Sequence, residues 1–500
     1  MNLSRTRQLS VLLTVLLIAG PAVMAQQEIP GHPRDLVFAG LDFEPPDALR
    51  YRHELQNGAV AFVVEDHDLP LVNIALTIRT GSYTAPAQAN PGVASLTGSQ
   101  LRSGGTASLA AADFDEELDF LAANVGSRIG VTSGGANMNC LTKDLEPCLD
   151  LFFEMLREPR FDAERLALAK SQSLQSMERR NDSTTGIEGR EWSRLMYGTE
   201  HFSTQALTAD QLQALTAEDL AAFHAYSLHP GNFIFAVSGD VEPGAIVAAL
   251  DSYLSGWPVG EAAGDVPEPG FEPQPGLYLV HKDDVNQGRV SLGHLGARLG
   301  NPDRFSLQIM NDILGGGGFT SRIMSRVRSD EGLAYSAGTG FGFGVHYAGS
   351  FRAFFQSRSE AVARATAIVL EEVERIRNEP VSEEELATAK ASFIESFTRN
   401  FASAAQVASL FASFELQGRD FDYLKTYRNN MAAVTAADVM RVAREYLHPD
   451  RLVILAVGNV DDILAGDPDH PETLLEGLAP AGNVTRISLP DPLTMQYPER

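Results

Sequence analysis

The sequence predicts an α+β fold built from two similar lobes. Leu215–Val241 recurs as Val434–Val460 at a constant offset, so that Thr216 matches Thr435 without a gap. Each copy has the pattern of a capped helix, a His-Pro turn and a buried strand. Pro258–Gly276, between the copies, has the Pro, Gly and Glu content of an extended linker. We therefore expect two homologous lobes, each an antiparallel β-sheet with helices packed on it, joined by a linker that would let them close around a ligand.

The N-terminal residues have the pattern of a secretory signal peptide. Arg5 and Arg7 precede the apolar run Leu9–Gly20, and small residues lead up to Gln26. No later segment is apolar enough to span a membrane, so we expect an exported, periplasmic protein without a membrane span. The predicted boundaries are a signal peptide over 1–25, a first lobe over 26–257, a linker over 258–276, a second lobe over 277–475 and a C-terminal tail over 476–500.

The strands and helices of the first lobe are predicted from the alternation and the helical spacing of its apolar residues. Two strands should flank a turn near Asp66–Pro70, and Phe114, Leu118 and Leu121 fall on one face of a helix. Arg128–Leu141 alternates as strands again. Asp162 is a suitable N-cap for a long helix that runs past Met177.

The second lobe repeats this order of elements. A helix is predicted over Leu307, Met310 and Leu314, followed by a glycine run and a helix that reaches Arg328. Strands are expected over Leu333–Ser357. Two more helices should follow Glu360 and the capping box formed by Ser382 and Glu385.

Charge and cysteine content limit the classes of partner and site. The formal net charge of −26 argues against nucleic acid or an anionic membrane surface as the main partner. Only Cys140 and Cys148 are present, which is too few for a disulfide framework or a four-cysteine metal site. The two could form one disulfide in an oxidising compartment if their Cα atoms lie within about 7 Å.

The stretch Gly92–Thr106, GVASLTGSQLRSGGT, has the form of an active-site helix without its reactive side chains. Together with the paired lobes, it resembles the pitrilysin/insulinase family of inverted zinc peptidases. In active members a G-L-A-H-x-x-E-H helix carries two zinc-binding histidines and a glutamate that activates water. The resemblance places the histidines on Ser95 and Ser99 and the glutamate on Gly98.

The same resemblance places the third zinc ligand, a glutamate on the next long helix, on Ser176. A neutral hydroxyl is a poor zinc ligand beside imidazole or carboxylate, and no base remains to deprotonate water. We therefore expect no metal in this chain. Glu178, two positions away, is the alternative ligand if the alignment slips. A serine nucleophile at Ser95 or Ser99 is the other alternative, but no histidine or lysine lies nearby and G-x-S-x-G is absent.

The second lobe contains a second motif of the family, which concerns substrate binding rather than zinc. Ser321–Phe341 resembles the segment with which this family's second lobe handles substrate, and it places an arginine at Arg328 and a tyrosine at Tyr335. The resemblance implies that the arginine binds a substrate carbonyl and the tyrosine hydroxyl stabilises an oxyanion. The simpler alternative is that Arg328 pairs with Asp330 or Glu331 and that Tyr335 caps a half-buried strand.

The glycine run Gly315, Gly316, Gly317 and Gly318 precedes that motif. It lacks the lysine and hydroxyl of a nucleotide-binding loop, so a phosphate site is not expected. The resemblance implies a glycine-rich approach to the substrate cleft. By itself, the run indicates close backbone approach and mobility.

These features predict a non-zinc, peptide-binding subunit that completes the active site of a homologous zinc-bearing partner. No cofactor is expected in this chain, and zinc is expected in the partner. A structural or assembly protein derived from the peptidase fold is the alternative, and an independent hydrolase is a third. The retained Arg328 and Tyr335 favour the first function.

Overall fold

A computed structural model describes residues 42–85 and 90–498. The predicted signal peptide over 1–25 lies outside the described residues. Both lobes lie in one unit of the chain that begins at Glu44. No helix within the described ranges is both long and apolar enough to cross a bilayer.

The first lobe is a six-stranded sheet with helices. Its strands are β1 (Arg52–Glu54), β2 (Val60–Glu65), β3 (Leu71–Ile78), β4 (Asn124–Ile129), β5 (Gly134–Leu141) and β6 (Phe233–Gly239). Its helices are α1 (Val93–Ser103), α2 (Ala111–Phe120), α3 (Leu145–Arg157), α4 (Ala163–Glu178), α5 (Thr184–Tyr197), α6 (Ala209–Ala214), α7 (Ala217–Ser227) and α8 (Pro243–Leu254). The predicted turn near Asp66–Pro70 and the Asp162 cap of α4 are confirmed.

The second lobe contains a second six-stranded sheet and a small two-stranded one. Its strands are β7 (Gly276–His281), β8 (Gln287–Leu295), β9 (Ala297–Arg298), β10 (Ala334–Phe341), β11 (Phe343–Gly344), β12 (Ser350–Arg358), β13 (Val453–Gly458) and β14 (Val484–Ile487). Its helices are α9 (Arg304–Asn311), α10 (Arg322–Met324), α11 (Val362–Asn378), α12 (Glu383–Ser396), α13 (Ala404–Leu416), α14 (Asp422–Ala433), α15 (Ala436–Tyr446) and α16 (Val460–Ala465).

The two large sheets share one strand order, which confirms the predicted α+β fold of two similar lobes. The first sheet runs β1-β2-β6-β3-β5-β4 and the second runs β14-β7-β13-β8-β12-β10. Both sheets are mixed rather than antiparallel, because β6 pairs parallel with β2, and β13 and β14 each pair parallel with β7. Each of these pairs is connected through helices, and such long crossovers permit parallel pairing where a hairpin does not.

The sequence repeat is a structural repeat. Helices α7 and α15 both begin after a threonine whose hydroxyl accepts the amide of an aspartate three residues later, and that aspartate accepts the amide of the threonine in return. These are the boxes Thr216/Asp219 and Thr435/Asp438. The strands β6 and β13 that follow are buried along their whole length. The repeat therefore conserves the cap, the helix and the central strand of each sheet.

The lobes are joined by an exchange of equivalent helices. Helix α5 of the first lobe packs on β8 and β13 of the second sheet, and α13 of the second lobe packs on β2 and β6 of the first. In the first exchange Ile187, Trp192 and Met196 meet apolar residues of β7 and β13. In the second, the rings of Phe62 and Phe411 lie 5.9 Å apart. Each sheet is thus covered on both faces, which explains why its central strand has a continuous apolar sequence.

A buried carboxylate lies within the first of these exchanges. Glu188 of α5 is 1% exposed and accepts hydrogen bonds from Arg289 at 2.6 Å and Ser291 at 2.5 Å. Arg352 pairs with the same carboxylate at 2.9 Å. The three partners belong to strands β8 and β12, so a single charged group of the first lobe is neutralised entirely by the second.

The chain also crosses between lobes at its C-terminal end. The predicted tail over 476–500 is not separate from the second lobe, because it contains β14, which pairs with β7, before the chain runs back to the first lobe. There Arg180 donates to the carbonyl of Pro492, and Asn181 donates to that of Pro490. The Tyr497 hydroxyl donates to Glu191 at 2.7 Å. This tail therefore connects the edge of the second sheet to helices α4 and α5.

Candidate functional site

The predicted degenerate helix is α1, and its buried face is apolar apart from Thr97 and Gln100. Ser95 and Ser99 lie on its exposed face, one turn apart. Their hydroxyls donate to carbonyl oxygens of the same helix, Ser95 to Gly92 at 3.1 Å and Ser99 to Leu96 at 3.0 Å. The two serines therefore satisfy their hydroxyls locally, without a base beside them.

Gly98 is the point at which α1 touches the edge strand β4. A Cβ atom at this position would lie 2.1 Å from the backbone nitrogen of Ile129. The hydroxyl of Ser127 also donates to the Gly98 carbonyl at 2.7 Å. Because backbone atoms rather than flexible side chains occupy the space, this position accepts glycine alone without a shift of the helix.

Ser176 and Glu178 both lie exposed near the end of α4. Ser176 lines a polar cavity between α4 and α5. Glu178 has no hydrogen bond or ion pair with another residue that the structure describes. Within the described ranges, no group of three or more His, Cys, Asp or Glu side chains is placed to hold a metal ion. The residues at the predicted zinc positions thus offer neither imidazole nor carboxylate to a metal.

Arg328 and Tyr335, singled out in the sequence, lie against each other. The guanidinium carbon of Arg328 is 4.9 Å from the centre of the Tyr335 ring and 4.7 Å from that of Phe319. Tyr335 is 83% exposed and Phe319 is 70% exposed. The three side chains form an exposed cluster beside β10, which is the free edge of the second sheet. Aromatic faces hold a guanidinium in place while leaving its N–H groups available.

The simpler interpretation of this pair does not agree with the structure. No hydrogen bond or ion pair links the Arg328 side chain to another described residue. Glu331 pairs instead with Arg364 at 2.9 Å. Tyr335 does not cap a half-buried strand, since its ring is mostly in solvent. Phe319 was missed in the sequence, although an aromatic residue directly after a glycine run was the available signal.

The elements beneath the cluster are held by ion pairs. Arg322, 8% exposed, donates twice to Glu385 of α12, at 2.6 and 2.9 Å. This contact lowers the pKa of Glu385 to about 2. Arg326 pairs with Glu372 of α11, whose carboxylate is buried. Two buried contacts therefore fix the segment from which Arg328 projects.

The glycine run is folded into the same segment. Asp312–Gly316 forms a turn of π-helix, and Ser325–Asp330 forms another. A Cβ at Gly315 would lie 2.6 Å from the backbone nitrogen of Thr339 in β10, and Gly318 has a φ of +62°. The expected close backbone approach is thus present at Gly315, whereas Gly318 is needed for its left-handed conformation.

The two halves of the predicted site share no recorded polar or aromatic contact within the part of the chain that the structure describes. No hydrogen bond, ion pair or ring contact among residues 42–85 and 90–498 joins the serine face of α1 to Arg328 or Tyr335.

Cys140 and Cys148 are both buried and free, and burial raises the pKa of the Cys140 thiol to about 12. The structure therefore contains no disulfide between the two.

Comparison with known proteins gives one family. Residues 214–393 match the model of the peptidase M16 inactive domain. The non-peptidase homolog YmxG of Helicobacter pylori is 23% identical over 430 residues, which cover 85% of this chain and 96% of that protein.

Two solved structures are similar over most of the chain. The crystal structure of a peptidase M16 inactive domain from Pseudomonas fluorescens has a TM-score of 0.73 and 27% identity, covering 81% of this chain and 97% of that one. The periplasmic protease PqqL of Escherichia coli has a TM-score of 0.68 at 16% identity, covering 87% of this chain and 49% of that one, and supports the fold alone.

Proposed function

This chain is a member of the M16 peptidase family that carries the family's inactive domain, and from that premise we propose that it is the non-zinc, substrate-binding subunit of a zinc peptidase pair. In this proposal the chain binds an extended peptide. Arg328 and Tyr335 then complete the active site of a homologous, zinc-bearing partner. The complex hydrolyses peptides, whereas the isolated chain does not.

One observation carries the proposal. Arg328 and Tyr335 lie against each other on a segment fixed by ion pairs, and the N–H groups of Arg328 have no hydrogen-bond or ion-pair partner among the described residues. A protein that used this arginine only for its own stability would engage those N–H groups. An arginine that is held by aromatic rings, with its donors free beside an exposed phenol, is instead suited to a ligand that comes from outside.

The chemistry assigned to the two residues follows from their donors. The Arg328 guanidinium can donate N–H groups to a carbonyl oxygen of the peptide and hold it in one orientation. The Tyr335 hydroxyl can donate to the oxyanion that forms when water attacks a neighbouring carbonyl. The zinc and the general base would belong to the partner, because Ser95, Gly98 and Ser99 supply neither.

A periplasmic location is part of the proposal. It is supported by the signal-peptide pattern of residues 1–25. Partner and substrate would then meet this chain after export.

The experiment is a mixing assay with the change Tyr335→Phe. The purified chain, a zinc-bearing M16 subunit from the same cell and their mixture are assayed on peptides, and bound zinc is measured in each sample. We expect hydrolysis in the mixture, with zinc bound to the partner alone. Tyr335→Phe should lower kcat by about 100-fold, because it removes one oxyanion donor.

The matched control is Tyr226→Phe, which removes the hydroxyl of another exposed tyrosine, 55% exposed on the first lobe. It should leave activity unchanged. Full activity of the Tyr335→Phe complex would refute the role of that hydroxyl. Assembly with the partner without any gain in hydrolysis would favour the structural alternative. Zinc in the isolated chain, or its labelling by a serine-reactive probe together with hydrolysis, would favour an independent hydrolase.

A further inference from the structure

The cavity between α4 and α5 is positively charged, in contrast to the protein as a whole. It has a volume of about 620 Å³, and Arg179, Arg180 and Arg190 line it together with Ser176. No aspartate or glutamate is among the residues that line it. The chain carries 65 acidic against 39 basic residues, so a cavity with three arginines and no acid is opposite in charge to its surroundings.

These arginines are only partly used by the chain. The Arg179 side chain has no hydrogen bond, ion pair or aromatic-ring contact with a described residue. Arg180 donates to the Pro492 carbonyl but has no carboxylate within ion-pair distance in the described part of the chain. Arg190 donates to Glu191 through Nε, at 2.8 Å, whereas its Nη2 is buried and has no hydrogen-bond partner there. Guanidinium donors therefore remain for a ligand.

Burial makes this arrangement unfavourable without an anion. Desolvation, together with the nearby charge of Arg190, lowers the pKa of Arg180. Helix α5 adds to the positive potential, because Ser183 and Gly186 at its first turn line the same cavity and the Ser183 side chain does not cap the helix. First-turn amides carry partial positive charge and favour an anion.

We propose that this cavity binds a carboxylate of the peptide substrate. Paired guanidinium groups match the planar, two-oxygen shape of a carboxylate. The cavity lies at Ser176, so an anion site would stand where the resemblance places a zinc ligand. Its volume exceeds that of a single ion and fits a peptide segment. The inference rests on the proposed peptide-binding function and gives it a substrate class, peptides with acidic side chains or a free C-terminus.

The test is calorimetric titration of the isolated chain with three short Gly/Ser peptides. One carries several glutamates and has both ends blocked, one has a free C-terminal carboxylate and no acidic residue, and one is neutral with both ends blocked. We expect at least one of the first two to bind about tenfold more tightly than the neutral peptide, and to lose this advantage in high salt. Which of the two binds distinguishes side-chain from terminal carboxylates.

The double variant Arg179→Gln/Arg180→Gln should remove the preference for a carboxylate. Arg160→Gln is the matched control, since this exposed arginine of the same lobe lies outside the cavity and its side chain has no hydrogen bond or ion pair within the described ranges. It should bind as the wild type does. Equal binding of the charged and neutral peptides, an absence of binding by any of them, or an unchanged preference in the double variant would overturn the inference. The proposed function fails separately, when mixtures with the partner show no hydrolysis although carboxylate-dependent binding persists.

Discussion

At the scale of one residue, Gly98 shows that the loss of the zinc motif involves the position of the helix backbone as well as a change of side chains. In the resemblance this position carries the glutamate that activates water. Here the helix backbone lies so close to Ile129 that a Cβ has no room. Ser95 and Ser99, by contrast, point outward and could accept larger side chains. Helix α1 therefore packs so closely on β4 that a glutamate, the family's catalytic base, does not fit at position 98.

The change Gly98→Ala tests this contact. Because backbone atoms of β4 would have to move, we expect the free energy of unfolding to fall by about 2–4 kcal/mol. Urea denaturation followed by circular dichroism measures the loss. Ser95→Ala on the exposed face of the same helix is the control and should change stability by less than about 0.5 kcal/mol. Equal stability of the two variants would contradict the steric argument.

At the scale of elements, the sequence predicted what local patterns determine. The helix caps at Thr216, Thr435 and Asp162 and the capping box at Ser382 lie where expected, because a cap is defined by residues two or three positions apart. The two turns of π-helix around the glycine run were not predicted. The first of them packs Gly315 against β10, which is a long-range contact with no local signal.

The same limit applies to the candidate site. Arg328 and Tyr335 could be singled out because they belong to one short motif. The contact of Phe319 with Arg328 depends on the path of the π-helical segment between them. The arginine cavity depends on the packing of α4 against α5 and on the returning tail. Neither the Phe319–Arg328 contact nor the arginine cavity corresponds to a hydrophobic period or a motif spacing in the sequence.

The element that carries the glycine run should also respond to pH. Burial raises the pKa of Asp312 to about 6, against about 4 in an unfolded chain. The folded protein therefore holds a proton that the unfolded chain has lost between these values. The contribution of Asp312 to stability is full below about pH 4 and is lost as the pH rises through about 6.

Asp312→Asn removes this titration with little change in shape. We expect the variant to be more stable than the wild type at about pH 7.5, by on the order of 1 kcal/mol after solvent screening is allowed for, and equally stable near pH 4. Urea unfolding at both pH values gives the comparison. A difference that is the same at the two values would show that the Asp312 carboxyl does not titrate in this way.

At the scale of the molecule, Glu188 shows how strongly the lobes depend on each other. Its carboxylate belongs to the first lobe, and its three partners belong to the second. Glu188→Gln would leave the half-buried Arg289 and Arg352 without the buried carboxylate that neutralises them. We expect the free energy of unfolding to fall by about 3 kcal/mol.

Glu200→Gln, which neutralises an exposed carboxylate in the same lobe, is the control for the loss of one charge. It should be nearly neutral. Thermal unfolding by calorimetry would detect the difference, and the Glu188 variant should also broaden or split the transition as the lobes uncouple. An unaltered single transition at the wild-type temperature would refute this account of the lobe junction.

The exchange of α5 and α13 has a consequence for kinetics. The sequence suggested two lobes that close around a ligand, but opening them within this chain would strip each sheet of the helix that covers one of its faces. Such a step would expose apolar surface and a buried charge at once. In the proposed peptidase pair, a peptide would therefore reach Arg328 while this chain remains rigid. The rate of peptide binding would then depend on the width of the opening between this chain and the proposed partner, and on how often the two subunits associate.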